Sequence, residues 1–442
     1  MHALRSDFEK LIKESEPTRH WIASHLVEVI YFGFFALLAI MSSKNYWAEL
    51  TNIRGYQLTD WGITYAGGFI RRGLVGQGIL EIAQRTGMSF ATITAVIAIL
   101  CNLIFTAAAA VIFRPLCRNH WIWLLLYAPA YYVGGVLTGF MYGHKDVLLL
   151  ALGGLLFAGA VQLKGSWRTV WVLTGLALTI PLILSHEGFV IYLPVLFVAL
   201  SALRLTPMVI ATTALIVIGL GLAMVSSIEF SGTLAQRDAM LAAFYGALPV
   251  QFSIRQLDEY VALWFVGQSL SETYSFVVTR NLDALKQLPA ALVLAFGPLL
   301  LAARMLRVDR AFSDPKGRIS AWLIGFSALL LAVLMPLVID WMRFFILMGI
   351  LIGMAVVMRL RVALEDDLDS LPGAHWTPEN ESFRFTLAWM LFASLFLLKP
   401  GKVSPDLIHF GWNDVLVVIL IGVIARYRPV PPAPRSGSSK GK

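Results

Sequence analysis

ATITAVIAILCNLIFTAAAAVIFR, residues 91–114, decides the fold. It carries no charge before Arg114. As a helix rising about 1.5 Å per residue, it is long enough to cross the ~30 Å hydrocarbon layer of a bilayer. Runs of the same kind recur near residues 26–42, 121–139, 146–163, 169–184, 188–203, 207–226, 290–305, 320–338, 342–359, 385–399 and 413–426. With the opening run they predict an all-α polytopic membrane protein of about 12 transmembrane helices. No soluble domain separates them. The long gaps, 43–90 and 227–289, are amphipathic and aromatic, as expected of outer loops with interfacial helices.

The composition agrees. Of 442 residues, 58% are hydrophobic and 14% charged, with mean hydropathy +0.73. A soluble globule carries roughly a quarter charged residues, so lipid solvates most of this chain. The net charge of +8 does not argue for nucleic acid, because basic residues collect at the flanks of the runs. Cys101 and Cys117 have no metal-site or disulfide spacing. The mixed-charge N-terminus and the first run, which ends in SSKNYW, predict an uncleaved signal anchor. Residues 1–430 form one membrane domain, and the Pro/Gly/Ser-rich, basic stretch 431–442 is expected to be a disordered cytoplasmic tail.

With both termini cytoplasmic, 22 of the 35 Lys and Arg residues fall in the inner segments. That bias fixes the expected orientation in a bacterial-type inner membrane. It also puts DWGITYAGGFIRRGL, residues 60–74, outside, so Asp60, Arg71 and Arg72 face away from the cytoplasm. The following residues place Leu74, Val75, Ile79, Ile82 and Ala83 near one helical face, the pattern of an interfacial helix.

Three short outer turns add ionisable groups. MYGHKDVLLL supplies His144, Lys145 and Asp146; ILSHEGFVIYL supplies His186 and Glu187; LVIDWMRFFIL supplies Asp340 and Arg343. Charges between spans cost several kcal/mol unless paired or hydrated, which marks these turns as candidate sites. The inner turns RPLCRNH and KGSWR carry basic flanks without such mixtures. Plainer roles exist for each group. Asp340 and Arg343 could pair three residues apart. Lys145 could snorkel while Asp146 sits at a helix N-terminus. The arginine pair could anchor lipid headgroups, and Asp60 could cap a turn. The acidic run ALEDDLDSL reads as a solvated cytoplasmic loop, and residues 227–289 as a lid.

Basic groups beside separate carboxylates suit a lipid-borne phosphate. Arginine holds phosphate oxygens bidentately, and a carboxylate can take the proton of an acceptor hydroxyl. No P-loop or dinucleotide pattern points to a nucleotide-sugar donor. Asp60, His186, Glu187 and Asp340 are therefore the catalytic candidates. Arg71, Arg72, His144, Lys145 and Arg343 are the candidates for binding the donor phosphate.

A long first outer loop with an early acid, interfacial-helix character after it, and outer-face catalytic groups make the chain resemble the GT-C superfamily of polyprenyl-phosphate-sugar-dependent glycosyltransferases. The resemblance spans the whole chain as architecture and implies a sugar transferred to a glycan, lipid or protein acceptor. It puts Asp60 in the place of that family's first-loop base. The family often has paired acids there, whereas Asp60 stands alone with Glu49 eleven residues before it. A divalent metal is the one cofactor such acids would call for. Two other functions stay open on the sequence: an O-antigen-type polymerase or ligase using lipid-diphosphate glycans, and a proton-coupled transporter or flippase with His186, Glu187 and Asp340 as its relay.

Overall fold

A computed structural model of the chain describes residues 2–51, 56–126, 143–248, 262, 266–267, 300, 302–334 and 341–364, with side chains from residue 27 onward. These residues are almost entirely helical, and no strand occurs among them. Helix α1 (His2–Thr51) leads to the short α2 (Tyr56–Trp61), α3 (Gly73–Thr86) and α4 (Phe90–Phe113). After α5 (His120–Leu126) come α6 (Asp146–Gln162), α7 (Gly165–Ala177) and α8 (Thr179–Ser185). A mixed 3₁₀ and α segment, Glu187–Ala202, contains α9 (Leu193–Phe197). The chain continues through α10 (Pro207–Glu229), α11 (Leu234–Gly246), α12 (Pro315–Leu334) and α13 (Trp341–Ala363).

Six helical stretches among the described residues are long and apolar enough to cross a membrane: Val27–Thr51, Phe90–Leu116, Gly165–Ser185, Pro207–Glu229, Pro315–Leu334 and Arg343–Ala363. Asp146–Gln162 and Glu187–Ala202 are shorter apolar helices. The expected spans at 385–399 and 413–426, and most of 290–305 and of 121–139, lie outside the described residues, as does the tail. One boundary differs. The first apolar run was expected to end at residue 42, yet α1 continues as helix to Thr51. Its last two turns bury Tyr46 and Leu50, so packing carries the helix past the end of its apolar run.

Helix α13 is the centre, with 83% of its apolar window buried, while α10 and α12 bury only 22% of theirs. The outer pair exposes Met208, Leu215, Leu222, Trp322 and Val333, which suits helices whose outer faces meet lipid. Glycines let the inner helices approach. A Cβ on Gly154 of α6 would stand 3.0 Å from the Ala108 Cβ of α4, and one on Gly153 would stand 2.8 Å from Leu351 of α13. Small residues at such crossings supply the close packing that holds helices together in lipid. Two buried polar contacts tie α1 to α4: Asn102 Nδ2 donates to Ser42 Oγ at 2.7 Å, and Tyr31 OH donates to the Ala110 carbonyl at 2.6 Å. Together these helices fix where the ends of α2, α6, α8 and α13 meet.

Candidate functional site

The site forms at one end of the bundle. Trp61 Nε1 donates to the Gly143 carbonyl at 2.7 Å and pins α2, which carries Asp60, to the turn that carries His144 and Lys145. The loop after α2 returns under α3. A Cβ on Gly76 would stand 2.0 Å from the Ile63 carbonyl oxygen and 2.4 Å from that of Trp61, so only glycine permits this crossing. Gln77 Oε1 accepts the Tyr65 N–H at 3.0 Å. The Arg71 N–H donates to the Phe230 carbonyl at 2.9 Å, joining the loop to the end of α10. Arg72 then enters α3 in the left-handed region, at φ 66°.

Arg72 meets Glu187 bidentately. Its Nε lies 2.7 Å from Oε2, and its Nη2 lies 2.5 Å from Oε1. Arg71 Nη1 approaches the same carboxylate at 3.8 Å. The three side chains are between 16% and 26% exposed, which makes them the open edge of the cluster. Glu187 is thereby committed as the anion between two arginines.

On the other flank, Arg343 Nη1 donates to His144 Nδ1 at 2.8 Å. Arg343 Nε also lies 3.0 Å from Asp146 Oδ2, an ion pair between two buried side chains. Both partners lie about two hundred residues earlier in the chain; Asp340, the other partner the sequence offers Arg343, lies outside the described residues. A guanidinium cannot accept, so His144 Nδ1 is bare and the ring is neutral. Burial disfavours its charge, and Arg343 adds to that, holding the imidazole well below its usual range.

Lys145 lies between the flanks, fully buried rather than snorkelling. Its Nζ donates to the carbonyls of Arg72, at 3.0 Å, and Ser185, at 3.3 Å. Burial pulls its pKa down to about 8, against the attraction of Asp60. His186 accepts the Gly188 N–H on Nδ1 at 3.1 Å and is pushed down to about 3, first by burial and then by Arg72.

Asp60 is buried among them, and its Oδ1 has no hydrogen-bond partner among the described residues. Burial favours its neutral form, but the cations around it, Lys145 foremost, more than offset that and hold the carboxyl below its usual value. Both imidazoles are neutral, so Lys145 and Arg72 carry this effect. A buried acceptor left without a donor costs about 1–3 kcal/mol, more when it is charged. The fold carries that cost at Asp60 Oδ1.

No family model, curated protein or solved structure matches this chain. The site must be read from its own geometry.

Eight of the nine candidates read from the sequence thus converge, with only Asp340 outside view. Pattern reading missed Asp146 as the partner of Arg343, and Gly76, Gly143 and Gly188, which hold the turns in place. The segment 249–261, 263–265 and 268–289 of the expected lid lies outside the described residues. The described part does not suit a divalent cation. Asp146 and Glu187 are matched by Arg343 and Arg72, Lys145 stands beside Asp60, and the Nδ1 atoms of both histidines are occupied. No group of three or more His, Cys, Asp or Glu among the described residues is placed to hold a metal.

Proposed function

We propose that this chain is a GT-C-like membrane glycosyltransferase, moving a sugar from a polyprenyl-phosphate donor to an acceptor at the membrane face onto which the cluster opens. In this reading the chain has twelve spans, both termini are cytoplasmic, and the site faces the periplasmic side. One observation carries it: Asp60, ionised and buried, offers an unfilled acceptor atom in a cationic pocket. A general base needs that combination, a charge available at neutral pH and a lone pair not already spent.

The chemistry follows from the layout. Asp60 takes the proton of the acceptor, whose freed lone pair forms the bond to the anomeric carbon. The bond from that carbon to the phosphate oxygen breaks, and its electron pair leaves with the polyprenyl phosphate. Arg71, held only at long range by Glu187, is the group best placed to meet the lipid phosphate, and the Lys145 charge lies deeper in the pocket. Glu187, one of the catalytic candidates on the sequence, instead orients Arg72. The cluster sits at helix ends rather than mid-span, which favours an enzyme over alternating-access transport.

The test is donor turnover by the purified protein in lipid nanodiscs, with a labelled polyprenyl-phosphate hexose. Asp60→Asn should lower release of the hexose from lipid by roughly 10²–10⁴-fold, with the protein still monodisperse. Full activity in Asp60→Asn would remove the base from the mechanism.

A further inference from the structure

Helix α10 ends beside the site, where the Phe230 carbonyl accepts the Arg71 N–H. Its start lies 23 residues earlier, about 35 Å away at the other end of the bundle. A cavity of about 460 Å³ lies there against α10. Ile210, Thr213, Val217 and Ile218 form one wall, spaced as a single helical stripe, and Leu200 and Leu205 face them. From Ile210 to Ile218 the stripe runs about 12 Å, inside the ~15 Å of hydrocarbon in one leaflet. Ile210, Val217 and Ile218 are each more than half exposed, so the cavity is a groove open to lipid. Its mouth is basic. Arg168 Nη1 donates to the Ala202 carbonyl at 3.4 Å, and Lys316 Nζ to that of Leu203 at 2.6 Å. Arg204 comes next, exposed, with no side-chain hydrogen bond or ion pair among the described residues. Leu205 after it is already groove wall. The Lys316 ammonium keeps two N–H groups beyond the one spent on Leu203. Asp314, two residues before it, is held by Arg359.

An apolar groove with cations at its mouth fits an anionic headgroup on a hydrocarbon tail. Thr213 narrows the class of lipid. A helical threonine ordinarily donates to the carbonyl four residues back, as Thr94 does to Phe90 at 2.8 Å. The Thr213 hydroxyl is buried and has no partner among the described residues. Threonine has two χ1 wells in a helix, so an acceptor entering the groove can draw this hydroxyl onto itself. An acyl ester carbonyl is such an acceptor, placed between phosphate and hydrocarbon. A polyprenyl phosphate has no carbonyl on its chain. We propose that the groove holds an acyl chain of an anionic glycerophospholipid, with its phosphate on Arg204 and Lys316 and an ester carbonyl on the Thr213 hydroxyl. The bound lipid joins the starts of α10 and α12 and stabilises the folded chain by mass action. This site is separate from the cluster around Asp60 and does not depend on the transferase reading.

The full chain, purified in detergent, is titrated with phosphatidylglycerol, phosphatidylcholine or a polyprenyl phosphate. Retained lipid is read by native mass spectrometry and the unfolding temperature alongside. Phosphatidylglycerol should be retained and raise that temperature, with phosphatidylcholine bound about tenfold more weakly. Arg204→Gln should cost about fivefold in phosphatidylglycerol affinity and leave phosphatidylcholine unchanged. Ala214→Phe, whose ring fills the groove from an exposed position on its lining, should remove the retained lipid. Both variants alter exposed side chains, so without added lipid they should unfold at the parent's temperature. Thr213→Val should narrow the preference for phosphatidylglycerol over its dialkyl ether analogue, which lacks the ester carbonyls. Equal retention of the two diacyl lipids by the parent would overturn the charge assignment. Undiminished phosphatidylglycerol binding in Ala214→Phe would place the lipid elsewhere and sink the proposal. Displacement of phosphatidylglycerol by an equal amount of polyprenyl phosphate would assign the groove to an isoprenoid instead.

Discussion

Lys145 spends two of its three N–H bonds on the backbone, not on a ligand. By holding the Arg72 and Ser185 carbonyls it ties the entry of α3 to the end of α8, and so sets Arg72 against Glu187 and His186 beside Asp60. Its charge also keeps Asp60 ionised. With its pKa pulled down to about 8, Lys145 is a cation below that pH and neutral above it. Turnover should therefore be flat through neutral pH and fall as pH rises through about 8, a limb seen in a pH profile of hexose release. His186, neutral above about pH 3, contributes no limb near neutrality. Lys145→Met should lose the alkaline limb along with most of the activity; a rate that keeps climbing to pH 9 would contradict the role. In the sequence Lys145 stands out as a charge between spans, but its partners are backbone carbonyls 73 and 40 residues away, which no side-chain pattern reveals. The contacts of Arg343 with His144 and Asp146 likewise join positions about two hundred residues apart, which local spacing does not show.

Helix α3 gives a matched pair of glycines. At Gly76 a Cβ would collide with the carbonyls of Trp61 and Ile63, backbone that cannot rotate away, while Gly78 has nothing within 4 Å. Gly76→Ala should force α3 off the loop carrying Arg71 and Arg72, costing about 3 kcal/mol or more and the activity with it. Gly78→Ala should be neutral or stabilise by about 0.5–1 kcal/mol, because alanine restricts the unfolded chain in an exposed helix. Thermal unfolding of the two variants in one detergent measures the contrast, and equal midpoints would mean that α3 does not cross there. The buried face of this helix was only half legible. Hydrophobic periodicity pointed to Leu74, Val75 and Ile82 with Ile79 and Ala83, whereas the structure buries Gly73, Gly76, Ile79, Leu80 and Ala83 and leaves Ile82 exposed. Glycine adds no hydrophobicity, so a close crossing leaves no trace in the pattern. Beside a bilayer, an exposed isoleucine is no anomaly. The six long apolar helices among the described residues were easier to read, because each is a local run of apolar residues long enough on its own.

Across the whole molecule, α1 ends, α6 and α13 begin, and α8 ends at the end of the bundle that holds Asp60, Lys145, His186 and Arg343. Asp314, which pairs with the buried Arg359, marks the opposite end, near the starts of α7 and α12. Cost explains the concentration of charge at one end. Each buried ion there is matched by an opposite charge or by backbone, and moving one such group to mid-span would leave it without these partners. The layout predicts a two-sided accessibility pattern. In a background of Cys101→Ser and Cys117→Ala, Thr86→Cys at the end of α3 should react with a membrane-impermeant maleimide added outside intact cells. Ser166→Cys in α7 and Ser313→Cys before α12 should react only after lysis. All three positions are exposed, so a failure to react would report the membrane and not burial. Labelling of Thr86→Cys and Ser313→Cys from the same side would break the bundle's polarity and, with it, any single face on which a lipid-borne donor could meet Asp60. Labelling of both inner positions from outside, with Thr86→Cys protected, would keep the polarity and reverse the orientation, moving the transferase site to the cytoplasmic face.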